Sequence, residues 1–456
     1  MPLVCVLFVC PGARVGDRQE KEKQVPHVPS SPYAGGPGKG VSLPDDFKPT
    51  AHLSNNNFYF PGTEELGSDE MRVSFVGSCP WPPRRDQAGT SIMVELGNGD
   101  SFFFDLGNGS VKNILAMGVP ASMINDIFIS HLHVDHYADL PYMLPFTATT
   151  GRWHPLRVYG PSGRTPELGT GAMVENMKKM MQWHLEEFDT LPIGDGYEVD
   201  VTEFDFRDEN GICYQRNGVT VRHWPRSHGK DGASAYRLDW EDTGLSFVWT
   251  GDGRPDELTA KYAAGADVFV SEVQSDLGFI ASLKYGYPQE LYNYIIDTHH
   301  TPHYALGYLF QQVNPRIGMA THLEYEHATT TEVIAGVRAH WDGLFVFGAP
   351  DVQVVNVTPD AVWAREAVLP GLGAVARPTP EQIAGFFAED GVVPDVVDVP
   401  PVRLPREQQQ DQYLRDIEID PDEYMPPDVA RELIMALPPG LQLPLRALLD
   451  AASQNE

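Results

Sequence analysis

The stretch SHLHVDH, residues 130–136, places three imidazoles and a carboxylate within six residues, at His131, His133, Asp135 and His136. Groups clustered in this H-x-H-x-D-H spacing are costly to bury without partners, and a divalent cation supplies them. Solvated surface histidines are the plainer reading, but they leave the spacing unexplained. The preceding run DIFIS, residues 126–130, is short, apolar and bounded by polar residues, which predicts a strand in a covered sheet. The histidines therefore begin where a strand ends, on a loop at a sheet edge. Alternate residues of an extended loop point the same way, so His131 and His133 can share one ion. Asp135 and His136 follow one turn later and can face a second. Residues 139–147 (DLPYMLPFT) then offer an apolar stretch able to start a helix.

Outward from this motif, the pattern alternates between strands and helices. MRVSFVG (71–77), TSIMVELG (90–97) and SFFFDLG (101–107) read as strands separated by turn residues. VTVRHW (219–224), SAYRLDW (234–240), LSFVWTG (245–251), DVFVSEV (267–273) and DVQVVNV (351–357) read likewise. Helical periodicity marks VKNILAM (111–117), GAMVENMKKMMQWHLEEF (171–188), PDELTAKYAAG (255–265) and TTTEVIAGVRAHW (329–341). The mixture predicts an α/β domain over 71–369, with stacked sheets and helices outside. Residues 1–70 read as an irregular leader rich in Pro, Gly, Ser and charge. Residues 370–456 read as a Pro-rich acidic tail, partly helical near Val429 to Leu437, and no internal repeat is visible.

Charge and cysteines narrow the class. A net charge of −30 over 456 residues opposes binding of a polyanion, so no nucleic-acid partner is expected. Cys5, Cys10, Cys79 and Cys213 are scattered, which excludes a zinc ribbon and a disulfide framework. No apolar run reaches the ~20 residues of a membrane span. The opening run PLVCVLFVC (2–10) lacks a basic flank and a clear cleavage site, so a signal peptide and a poorly ordered start are both open readings. The expected location is the cytoplasm, with the periplasm or secretion as alternatives, and a homodimer is left open.

One motif cannot complete a metal site, and three later loops offer further ligands at strand ends. His228 lies in RSHGKDGASAYRL, Asp252 in VWTGDGR and His322 in IGMATHLEYE. Glycines around Asp252 let the backbone approach an ion, and a carboxylate can bridge two cations. Singly, each of the three reads as an ordinary turn or loop residue; their order after the histidine motif is what points to metal.

On these residues, together with FFFDLGNG (102–109), KYAAGADVFVSEV (261–273), HHTPHYALG (299–307) and THLE (321–324), the chain resembles the metallo-β-lactamase superfamily over roughly 71–369. The resemblance is closest to the branch containing ribonuclease Z and a class of bacterial arylsulfatases. VGSCPWPPRRDQAGTS (76–91) and GLSFVWTGDGRPDELT (244–259) are further similar to hydrolases assigned to guanitoxin biosynthesis, a secondary-metabolite pathway. The resemblance implies a four-layer αββα sandwich holding two divalent ions. His131, His133 and His228 would hold one ion, Asp135, His136 and His322 the other, and Asp252 would bridge them. Histidine ligands prefer zinc, with manganese or iron as alternatives. It also implies a glutamate–histidine pair that protonates a leaving group: Glu272 with His299 or His300. Spacing to the following helix favours His299.

Two cations ~3.5–4 Å apart lower the pKa of a shared water and polarise a substrate oxygen. Asp135 could both ligate and orient the attacking group. Arg226, Lys230 and Arg254 flank the ligand loops, and the resemblance implies that the loop of Arg84 and Arg85 lies near the site; together they suggest a small anionic substrate such as a sulfate or phosphate ester, unless they only form surface ion pairs. The aromatic-rich segment 274–297 reads as a lid or pocket wall, with plain core as the alternative. The function expected is therefore metal-dependent hydrolysis of a small ester-like molecule. The alternatives are a ribonuclease Z-like phosphodiesterase, which the charge and the absence of a Lys-rich insertion weigh against, and an iron-dependent redox enzyme.

Overall fold

Side-chain alternation along sixteen strands builds two sheets in the computed structural model, which describes residues 58–369 except 82–83, 189–192, 230, 276–285, 287 and 350–351. The strands are β1 (Phe58–Tyr59), β2 (Met71–Gly77), β3 (Ser91–Leu96), β4 (Ser101–Phe104), β5 (Asp126–Phe128), β6 (Leu156–Pro161), β7 (Val199–Phe204) and β8 (Gly211–Arg216). They continue as β9 (Val219–Pro225), β10 (Ser234–Trp240), β11 (Leu245–Trp249), β12 (Val268–Glu272), β13 (Ile317–Thr321), β14 (Leu344–Phe347), β15 (Gln353–Val357) and β16 (Val362–Ala367). One sheet runs β1-β16-β15-β2-β3-β4-β5-β6-β7 and the other β14-β13-β12-β11-β10-β9-β8.

Period-two patterning decides which residues meet. Met71, Val73 and Phe75 of β2 join Phe102 and Phe104 of β4 in a core shared with Phe247 and Trp249 of β11 and Val268 and Val270 of β12. The sheets therefore pack face to face. Within this core Phe104 stacks on Phe128 at 5.0 Å, and Phe128 on Tyr159 at 4.5 Å. The intervening residues point outward and meet helices. Met93, Phe103 and Ile127 pack with Ile114 of α1 (Ser110–Ala116), Met143 of α2 (Leu140–Thr150) and Val174 of α3 (Thr170–Met180). A short α4 (Gln182–Glu187) follows, and α5 (Glu257–Tyr262) and α6 (Gln289–His299) lie between later strands. On the far side Val248 and Phe269 pack with Leu306 and Phe310 of α7 (His303–Val313) and Val333 of α8 (His327–Arg338). The order of layers is helix, sheet, sheet, helix. Each buried Phe contributes roughly 1.5–3 kcal/mol relative to exposure, so the inter-sheet aromatics are a large part of what joins the halves.

The run of strands β4, β5 and β6 is parallel, as is the run β11, β12 and β13. Loops leaving the carboxyl ends of both runs carry Asp105, His131–His136, Asp252, Glu272 and His322, the usual place for a site in such sheets.

Some elements were not legible beforehand. The strand β1 lies within the stretch read as an irregular leader and pairs in parallel with β16. Tyr59 explains why: it is buried, its hydroxyl accepts from Arg72 at 2.9 Å, and the guanidinium of Arg72 lies 4.4 Å from its ring centroid. The helical run 171–188 breaks at Met181 into α3 and α4. Of the segment read as a lid, 289–297 is helical, whereas 276–285 and 287 lie outside the described residues. The leader up to residue 57 and the tail from 370 also lie outside them. No helix among the described residues is long and apolar enough to cross a membrane.

Candidate metal centre

The end of β5 feeds Ser130 and then the histidine loop, whose residues Val134–His136 form a single 3-10 turn. That turn folds His136 back beneath His131, with ring centroids 4.1 Å apart. His131 Nε2 and His228 Nε2 each lie 3.0 Å from His133 Nδ1, so three imidazoles from two loops face a common point. Asp252 Oδ2 stands 3.8 Å from His131 Nε2 and 3.7 Å from His228 Nε2. The same oxygen is 3.3 Å from His136 Nε2 and 3.3 Å from His322 Nε2. Asp135 Oδ2 closes the second group, 3.2 Å from His322 Nε2 and 3.6 Å from His136 Nε2. The structure thus assembles the two expected donor sets around one carboxylate, from loops of both sheets, and among the described residues a third, overlapping group of Asp252, Glu272, His322 and the half-buried His300 lies beside them. His133 is exposed, which opens the first set to solvent, while the other ligand candidates of the two sets are buried.

These residues fit a pair of divalent cations on their own geometry. Asp252 Oδ1 and His136 Nε2 are buried without a hydrogen-bond partner, an arrangement that is costly unless a cation completes it. Three of the imidazoles are also biased toward their neutral form. Burial holds His131 well below the ordinary histidine value, lowers His133, and brings His228 down to about 3, leaving their ring nitrogens free to ligate. Burial opposes charge on His136 too, but Asp252, Asp135 and Asp105 overcome it and push its pKa well up. A proton there marks the place that a metal cation would take. Burial works against the carboxylates as well. His136 and His322 nevertheless bring Asp135 down to about 2, and His322 with His136 holds Asp252 well below the usual range.

Beneath the ligands lies a residue that sequence reading did not single out, Asp105. It is fully buried at the end of β4, with φ 59° in the left-handed region. Its Oδ1 accepts from Ser130 N at 2.7 Å, and its Oδ2 accepts from Ser130 Oγ at 2.7 Å, Trp249 Nε1 at 2.8 Å and His136 Nδ1 at 2.9 Å. Because Ser130 Oγ donates to Asp105, it accepts from His131 Nδ1 at 3.1 Å. One carboxylate therefore sets the tautomers of two imidazoles and turns their Nε2 atoms inward. The signal available was the aspartate ending FFFDLGNG, a charge directly after an apolar strand. His228 is fixed similarly, its Nδ1 donating to the carbonyl of His299 at 2.5 Å.

Glu272 ends β12 and is fully buried. Its Oε1 accepts from Thr301 N at 2.7 Å and Gly253 N at 3.1 Å, and its Oε2 accepts from His300 Nδ1 at 3.3 Å. Burial lowers the pKa of His300, but the Glu272 carboxylate, joined by Asp252, raises it overall. His300 Nδ1 is also 3.9 Å from Asp252 Oδ2. Of the two candidates, it is His300 and not the favoured His299 that this geometry sets against Glu272. His299 is the last residue of α6, and its Nδ1 lies 2.7 Å from Thr298 Oγ1. His300 follows in extended conformation and is the one that turns toward Glu272.

The expected cationic rim is also revised. Arg84 is paired with Glu326 at 2.7 Å, Asp86 at 3.3 Å and Glu324 at 3.4 Å, which ties the β2–β3 loop to the loop after β13. Arg226 is buried against Asp256, Thr259 and the carbonyl of Gly253. Both are structural. Arg85 and Arg254 are exposed and have no side-chain partner among the described residues, and Lys230 lies outside them.

Residues 84–212 match the family model of the metallo-beta-lactamase superfamily. A ribonuclease Z of Mycolicibacterium gilvum is 31% identical over 219 residues, covering 44% of this chain and 68% of that protein. A ribonuclease Z of Methanococcus maripaludis is 37% identical over 107 residues, covering 24% of this chain and 32% of that protein. Among solved structures, the metallo-beta-lactamase fold protein YhfI from Bacillus subtilis aligns with a TM-score of 0.45 at 17% identity, covering 65% of this chain and all of the other (100%).

Proposed function

Given that the chain belongs to the metallo-β-lactamase superfamily and is a metallo-hydrolase, we propose that it cleaves a small anionic ester, an aryl or alkyl sulfate or a phosphoester. In this reading His131, His133 and His228 would hold one divalent ion, Asp135, His136 and His322 would hold a second, and Asp252 would be shared between them. The five imidazoles favour zinc, with manganese or iron the alternatives at a mixed His/Asp set. When bound, the ions supply an acidified water and charge stabilisation at the substrate oxygen.

The observation that carries the proposal is the Glu272–His300 pair beside Asp252, with His300 Nδ1 3.3 Å from Glu272 Oε2. Glu272 orients the ring and favours its charged form, so His300 can give its proton to the departing ester oxygen. Asp135 orients the attacking water. Arg254, exposed in the loop just after Asp252, is placed by sequence to meet an anionic group.

A ribonuclease Z-like reading is favoured by the names of the relatives. The net charge of −30 and the engagement of Arg84 and Arg226 in internal ion pairs weigh against a polyanionic substrate. The deciding experiment measures metal content and turnover of purified protein on 4-nitrophenyl sulfate, bis(4-nitrophenyl) phosphate, a lactone and a precursor tRNA. Two zinc ions per chain and turnover of a sulfate or phosphoester are expected. Cleavage of the tRNA alone would replace the small-ester reading, and turnover of the lactone alone would reject it.

A further inference from the structure

Gln274 lies two residues beyond Glu272, buried, at the junction of three loops of the site. Its backbone N donates to the Thr301 carbonyl at 2.9 Å, and its own carbonyl accepts from His303 N at 2.9 Å. The main chain is thus anchored to the loop that presents His300. Its side chain reaches the other way. Gln274 Nε2 donates to the carbonyl of His322 at 2.7 Å and lies 3.1 Å from His322 Nδ1.

The need for that contact follows from the backbone of His322. With φ 58° it occupies the left-handed region, which is sparsely populated by residues other than Gly and persists only where its surroundings enforce it. On one side Val273 N donates to Thr321 O at 3.1 Å, and on the other Leu323 N donates to Ser78 O at 3.2 Å. The Gln274 amide engages the carbonyl of His322 itself. Without it, that carbonyl loses its side-chain donor, and the residue can relax toward ordinary dihedrals. Such relaxation swings the imidazole away from Asp135 Oδ2 and Asp252 Oδ2, now 3.2 Å and 3.3 Å from Nε2.

We infer that Gln274 is a positioning residue: it holds His322 in its left-handed conformation so that Nε2 faces Asp135 and Asp252, and it ties that ligand to the loop carrying His300. The inference rests on the proposed metal roles. Its consequence is selective, because His131, His133 and His228 make no contact with Gln274 among the described hydrogen bonds. Loss of the amide weakens the donor set of Asp135, His136 and His322 and spares the other.

The test is a zinc titration of metal-free protein, with chelator competition, on wild type, Gln274→Ala and Gln274→Met. The Met variant keeps the side-chain volume in case the Ala variant fails to fold. Wild type is expected to take up two ions. Both variants are expected to fill one site with unchanged affinity and the second 10–100-fold more weakly, with metal-free melting close to wild type. The kcat for the ester should fall while KM stays near wild type. Two ions bound by the Met variant with wild-type affinity would overturn the inference. Equal weakening of both sites with a lowered melting temperature would also overturn it, as the mark of a merely structural role. Fewer than two ions in wild type would overturn the metal reading itself, and the inference with it.

Discussion

His136 Nδ1 donates to Asp105 Oδ2 at 2.9 Å, so a carboxylate at the end of β4 supports an imidazole on the loop that follows β5. The contact spans both outgoing loops of one sheet, and Trp249 Nε1 reaches the same oxygen from the other sheet at 2.8 Å. Asp105 is therefore a common anchor for the candidate metal-binding histidines and for the seam between the sheets.

Asp105→Ala removes this acceptor from a backbone amide, a hydroxyl, an indole and an imidazole at once. Hydrogen bonds to a charged group are worth about 1.5–3 kcal/mol each, so a loss of several kcal/mol in urea unfolding is expected. Zinc affinity should fall about 10–100-fold, since the ligands lose their orientation. Wild-type unfolding and wild-type affinity together would show that the carboxylate is not an anchor.

Asp252→Ala takes away the carboxylate that lies 3.3 Å from both His136 Nε2 and His322 Nε2. The variant should bind at most one ion tightly and lose most of its turnover. Elemental analysis after gel filtration measures the first effect. Two ions retained at full activity would refute the bridging role.

His300→Ala should lower kcat by about 10²–10⁴-fold, the range of a lost general acid, with metal content unchanged. His299→Ala should leave most of the activity, because among the described hydrogen bonds and ion pairs its ring has none to Glu272, and the carbonyl that holds His228 is retained. A reversed order of the two effects would return the acid role to His299.

Stability should fall in mild acid through His223, which is buried and stacked on Phe204 at 3.6 Å between ring centroids. Burial lowers its pKa from 6.5 to about 4. The unfolded chain takes up a proton below pH 6.5, while the fold takes it up only near pH 4. The stabilisation by neutral His223 is therefore complete above 6.5 and lost progressively as the pH falls to about 4, a change of roughly 3–4 kcal/mol. His223→Leu should flatten that part of the stability profile in urea titrations at successive pH values. An identical slope in the variant would assign it to other groups.

Much of the fold was legible because strand alternation is a local property. MRVSFVG, SFFF and DVFVSE declare their two faces in a few residues, and each became a strand with one face in the shared core. Strand β7 was hidden by its exposed, charged face, and β1 by its length of two residues. The helix α6 was masked by a segment rich in aromatics, which drew the reading toward a pocket wall, whereas α7 was expected as the helix that follows the histidine pair.

Half of the candidate site is visible in local spacing, because His131, His133, Asp135 and His136 lie so close along the chain that a turn after β5 brings them together. It also marked His228, Asp252, Glu272 and His322 as strand-end residues. How they meet is a matter of long-range packing. That one oxygen of Asp252 lies within 4 Å of five imidazoles depends on the packing of two sheets, which no local spacing encodes. That His300 rather than His299 reaches Glu272 depends on where α6 ends, since a single residue past a helix terminus changes a side chain's direction completely. The fate of Arg84 and Arg226 was settled in the same way. Charges near a site in sequence belong to it only if the folded loops leave them without closer partners, and Glu326 and Asp256 were closer.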